Sequence, residues 1–224
     1  MHFTIGTGRQ PNPCFIRAVE LNPSHSAARF FYAGVLSEIG HFDEAIRQIE
    51  IGRALDPLSV ITQAFLAYIS YRNREYRRAA DEIQRSLELD PHFAVSYWYL
   101  GLVRQAQGDL DGAIDALKQG VVLSFERPLY LAALGNAFGR ADRKEEALNV
   151  LDKLTKLSSV RYISPFDIAL VYMGLGNKDV AFEWFEKAHS QRVTRMRTLR
   201  EALFDVLRSD PRFVDLMRRV GLTM

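Results

Sequence analysis

Cysteine is almost missing from this chain: Cys14 is the single one in 224 residues. One thiol makes no internal disulfide and no all-cysteine metal site, and it suits a reducing compartment. Cys14 is therefore expected as a small apolar side chain, buried or half-buried at a helix start. Also missing is any run of about 18 apolar residues, so the sequence predicts no membrane span. The opening "MHFTIGTGRQPNPCF" lacks the charged start and apolar stretch of an export signal, which makes the cytoplasm the default location. Charge of one sign is scarce as well. The 29 Lys and Arg are balanced by 27 Asp and Glu, leaving +2, too weak a field to point to nucleic acid. The basic runs "RNREYRR" at 72–78 and "QRVTRMRTLR" at 191–200 have Asp81, Glu82, Glu201 and Asp205 close by and read as solvated faces.

Recognisable reaction chemistry is equally absent. "GTGR" at 6–9 follows no apolar strand and lacks the lysine and later glycines of a phosphate-binding loop. The five histidines, His2, His25, His41, His92 and His189, have no second ligand three or four residues on, so no metal pair forms. Carboxylates such as Asp43, Glu44, Glu145 and Glu146 fall at helix starts, where they complement the helix dipole. No serine is framed as a nucleophile elbow and Cys14 has no identifiable base. The sequence predicts no catalytic residue, no metal and no cofactor.

What the chain does have is a repeated phrase. "GHFDEAI" at 40–46 returns as "REYRRAA", "GDLDGAI", "DRKEEAL" and "GNKDVAF" from positions 74, 108, 142 and 176, a period of 34. A fixed period of this size marks a stacked array. In register, five segments align without a gap: 26–59, 60–93, 94–127, 128–161 and 162–195. Each has a small residue in its first half (Ala33, Ala67, Gly101, Gly135, Ala169) and an alanine in its second (Ala45, Ala79, Ala113, Ala147, Ala181). Large apolar residues sit before the first set (Tyr32, Leu66, Leu100, Leu134, Ile168) and four after the second (Ile49, Ile83, Leu117, Leu151, Phe185). Those spacings put them on one helical face. Each segment is predicted to be a hairpin of two amphipathic helices that buries its apolar face only by stacking on its neighbours, in an all-α solenoid of antiparallel helix pairs. Pro57 and Pro91 stop the second helices.

This pattern resembles the tetratricopeptide repeat family over residues 26–195. The resemblance implies a right-handed superhelical solenoid whose first helices line a concave groove. It departs from the family in lacking the early tryptophan, in Leu154 where a small residue is usual, and in two segments without the terminal proline. Residues 1–25 read as a tail and a half repeat with only its second helix, begun at Asn12 and Pro13. Its face, with Phe15 and Val19, is expected to be covered by residues 1–12 or by another copy, making a homo-oligomer, or to mark the tail of a longer protein. Residues 196–224 read as capping helices, with "RTLREALFDVL" helical and a last helix capped by Asp210, opened by Pro211 and stopped at Gly221.

The segments "YISPFDIALVYMGLGNKDVAFEWFEKA" and "LRSDPRFVDLMRRVGL" resemble the C-terminal repeats of bacterial multidomain regulators built on winged-helix, adenylate cyclase or serine/threonine kinase domains. One function this implies is a detached regulatory module. The other is a non-catalytic scaffold binding a protein or peptide in the groove. Groove positions implied by the resemblance are Phe30, Tyr68, Tyr71, Trp98, Leu102, Asn136, Phe166 and Leu170, aromatic and apolar and nearly free of charge. Such side chains anchor protein interfaces. Only Asn136 fits the family's carboxylate clamp, so the expected ligand is apolar or helical. Phe166 and Leu170 could equally pack between neighbouring hairpins.

Overall fold

The computed structural model describes residues 13–222. Among them all regular structure is helical, and the chain divides into two compact units, Met1–Pro91 and His92–Met224. The first holds α1 (Pro13–Leu21), α2 (Ser26–Glu38), α3 (Phe42–Leu55), α4 (Val60–Arg72) and α5 (Tyr76–Leu89). The second holds α6 (Ala94–Gln107), α7 (Leu110–Leu123), α8 (Pro128–Arg140), α9 (Lys144–Leu157), α10 (Pro165–Gly174), α11 (Lys178–Ser190), two 3₁₀ segments (Thr194–Arg200 and Ala202–Leu207) and α12 (Pro211–Val220). Helices pair in antiparallel fashion with their sequence neighbours, α2 with α3, α4 with α5, α6 with α7, α8 with α9 and α10 with α11.

Small residues set these pairings. Ala33, Ala67 and Ala169 and the five second-half alanines are each fully buried at 0% exposure, which lets paired helices approach. A Cβ on Gly101 would collide with Leu117, and one on Gly135 would lie 2.9 Å from both Val150 and Val171. The approach is closest between α8 and α10, where a Cβ on Gly139 would meet the Gly174 backbone and one on Gly174 the Asn136 backbone.

The turn inside each hairpin needs a left-handed residue. Gly40, Gly108 and Gly176 take φ of 87°, 84° and 75°, and at the equivalent places Arg74 and Asp142 are held at 64° and 58°. Helix starts are closed by side chains: His25, Ser59, Asp109, Ser164, Asn177 and Asp210 each accept a backbone N–H of the first turn. Gly221, at φ 78°, ends α12.

Buried polar groups tie the first unit together. Glu82, 5% exposed on α5, accepts from Arg53 on α3 at 3.1 Å, from Arg85 at 3.0 Å and from Gln63 on α4. In the second unit, Asn136 Nδ2 donates to the Leu170 carbonyl at 2.8 Å, binding α8 to α10.

Two expectations are corrected. Cys14 is exposed: α1 packs along α2 and buries none of its residues completely. "RTLREALFDVL" forms no α-helix; it is the two 3₁₀ segments, broken at Glu201 with φ −67° and ψ 155°. The tract at 6–9, the Asn12 cap and the cover over α1 from residues 1–12 lie outside the described residues.

Candidate functional site

In the first unit the first helices of two successive pairs carry a run of rings. Phe30 on α2 lies 4.7 Å from Phe65 on α4, Phe65 lies 6.0 Å from Tyr68, Tyr68 stacks on Tyr71 at 6.3 Å, and Tyr71 is 6.1 Å from Tyr76 on α5. Phe31, 59% exposed, stands edge-on to Phe30. Gly34 lies beside the row, where a Cβ would meet the Phe65 ring at 3.6 Å, an ordinary contact. Along α4 the spacing Ile61, Phe65, Tyr68, Arg72 keeps one face, and Ile61 is 54% exposed. Arg72 closes the end of the row: its guanidinium lies 5.7 Å from the Tyr68 ring and donates to Ser37 Oγ at 2.7 Å.

Phe30, Phe65 and Tyr68 are half-buried and keep part of their surface in solvent. Tyr71, at 1% exposure, does not; it is the packed inner end of the row. Phe65 was not among the expected groove residues, although its three-residue spacing from Tyr68 and Tyr71 was there to find.

In the second unit α6, α8 and α10 lie side by side. Trp98 on α6 is half-buried, 5.0 Å from Tyr99 and 6.1 Å from Tyr130 on α8. The other four expected groove residues are covered: Leu102 is 3% exposed, Asn136 0%, Phe166 0% and Leu170 1%.

The cover comes from the chain itself. Phe204, in the second 3₁₀ segment, packs edge-on to Phe166 at 5.9 Å and Phe185 at 6.1 Å and stacks on Phe213 at 6.4 Å, and the same segment reaches α6. Met196, Leu199, Leu203 and Leu207 are buried with it. Arg195, in the first 3₁₀ segment, pairs with Asp167 of α10 while its guanidinium lies 4.7 Å from the Phe166 ring. Burial pushes the Asp167 carboxyl above the usual aspartate range, opposed by the charge and hydrogen bond of Arg195. An open groove was expected at Leu102 and Asn136, while for Phe166 and Leu170 packing between hairpins was the equal alternative. Spacing identifies the face a side chain occupies and carries no information on a distant segment that packs over it.

Among the described residues no cluster of three or more His, Cys, Asp or Glu is placed to hold a metal ion, and no helix is long and apolar enough to cross a membrane. The side chains brought together along α2 and α4 are aromatic rings and an arginine.

Comparison with known proteins agrees with this architecture. Sequence profiles described as tetratricopeptide repeat match residues 35–92, 66–124 and 166–190, together just over half of the chain. TPR repeat-containing protein MJ1428 of Methanocaldococcus jannaschii is 23% identical over 116 residues, which is 52% of this chain and 20% of that protein. The "Probable UDP-N-acetylglucosamine–peptide N-acetylglucosaminyltransferase SPINDLY" of Hordeum vulgare is 29% identical over 128 residues, 54% of this chain and 13% of that one. The match thus spans a fifth or less of either curated relative. Among solved structures, TTC0263 of Thermus thermophilus, a thermophilic TPR protein, superposes with a TM-score of 0.61 at 23% identity, covering 73% of this chain and 87% of its own. YrrB, "a TPR protein with an unusual peptide-binding site", gives 0.50 at 18% identity over 83% of this chain and 95% of its own. With repeats recurring every 34 residues, paired helices packed on buried alanines and these matches, the chain belongs to the tetratricopeptide repeat family.

Proposed function

We propose that the chain is a non-catalytic scaffold that binds an apolar or helical protein segment, and that the segment docks on the aromatic row of α2 and α4. The observation that carries this reading is the half-buried sequence Phe30, Phe65, Tyr68, bordered by exposed Ile61 and Phe31. Rings held by their neighbours on one side lose little entropy when a ligand covers the other, which is why aromatic residues dominate interface energetics. Arg72, fixed by Ser37 and lying against Tyr68, adds a cation at one end where a ligand carboxylate or carbonyl could be met. The peptide-binding site named for YrrB supports the general mode and leaves ligand and location to this chain's own residues.

The test is a peptide-display selection on the purified chain, followed by titration of the selected peptides against Tyr68→Ala and Phe30→Ala. Each substitution is expected to weaken binding by roughly 2 kcal/mol, about thirtyfold. Unchanged affinity in both variants, with the helical circular dichroism intact, would sink the assignment.

A further inference from the structure

The segment at 194–207 is at odds with its own sequence. "TRMRTLREALFDVL" has the composition and apolar spacing of an amphipathic α-helix, yet it is laid down as two 3₁₀ stretches of 7 and 6 residues. Runs of this geometry beyond about four residues are uncommon, since their hydrogen bonds are poorer than those of an α-helix. The distortion has a visible cause: Phe204 sits against Phe166 and Phe185, Arg195 reaches Asp167, and the 202–207 stretch extends to α6. A sequence that prefers one local structure and is held in another by packing keeps its geometry only while that packing lasts.

We propose that the face of α6, α8 and α10 is a second binding surface, held shut by residues 194–207, which opens to a partner segment of the same chemistry. That partner is an apolar segment able to take the same broken 3₁₀ path, with an arginine that reaches Asp167 and apolar side chains spaced like Leu199, Leu203, Phe204 and Leu207. The resident segment states what the surface accepts. Phe166 offers an aromatic wall, Asp167 is buried to 5% exposure and satisfied by a guanidinium, and Leu102 and Leu170 are buried apolar residues on flanking helices. The surface is separate from the row on α2 and α4 and does not depend on it.

The segment is retained by proximity, because a tethered ligand competes at an effective concentration in the millimolar range. Weakening it at two points shifts that competition toward a free peptide. The experiment uses a fluorescent synthetic peptide of residues 194–208 and the full chain, read by anisotropy. The wild-type chain is expected to bind it weakly, and the Arg195→Ala/Leu203→Ala chain at least tenfold more tightly. A peptide that itself carries Arg195→Ala should lose most of that gain, and Tyr68→Ala in the chain should leave it untouched. Should the double variant fail to fold, Leu203→Ala alone carries the test, with a smaller gain in the same direction. Equal binding by wild-type and folded variant chains, or a gain indifferent to the peptide's arginine, overturns the proposal.

Discussion

At the scale of single residues, five equivalent turn positions divide into two kinds. Gly40, Gly108 and Gly176 take positive φ freely, whereas Arg74 and Asp142 are held there against the contact between Cβ and backbone. Arg74→Gly and Asp142→Gly are each expected to stabilise the chain by about 0.5–1 kcal/mol once the added freedom of the unfolded glycine is set against the relieved strain. Chemical denaturation with an unchanged slope would show it. Asp167 makes the second prediction at this scale. Its folded pKa lies above the unfolded value, so the stability it contributes is complete below pH about 4 and is lost as pH rises through the folded value. At neutral pH the buried carboxylate is an unfavourable charge that Arg195 offsets. Asp167→Asn should therefore leave stability at pH 7 unchanged or raised, while Arg195→Ala should lower it by about 3 kcal/mol. The Arg195→Ala deficit should shrink on acidification, because the folded carboxyl can then take up a proton; melting temperatures across pH 4 to 8 would show whether it does.

Elements were legible in the sequence to different degrees, for physical reasons. Helices α2 to α11 follow from the alternation of small and large apolar residues, since an alanine that recurs with its register intact is a helix contact wherever it occurs. The 3₁₀ segments were not legible, because "RTLREALFDVL" has ordinary helical spacing and only its burial against Phe166 and α6 sets its geometry. Nor did spacing show that Leu102 and Asn136 would be covered, and for Phe166 and Leu170 it left groove and packing equally open. Glu82 was read only as part of a charged run, and three elements turn out to converge on it through Arg53, Gln63 and Arg85. Glu82→Ala leaves the mostly buried Arg53 head and Gln63 amide without this acceptor and is expected to cost about 2–3 kcal/mol. Glu82→Gln, which keeps the acceptor oxygen, should cost less, and comparing the two by urea denaturation separates the hydrogen bonds from the charge.

For the whole molecule, the repeat period explains why a chain with one cysteine and no metal cluster among its described residues can hold together. Each hairpin is closed by its neighbours within its own compact unit. Docking of a partner segment on the aromatic row of the first unit, as proposed, is read by hydrogen exchange with and without a selected peptide. Slowed exchange confined to α2 and α4, around residues 26–38 and 60–72, is expected. Slowing on α3 and α5 instead, with α2 and α4 unchanged, would contradict it and move the site to the second helices of the pairs.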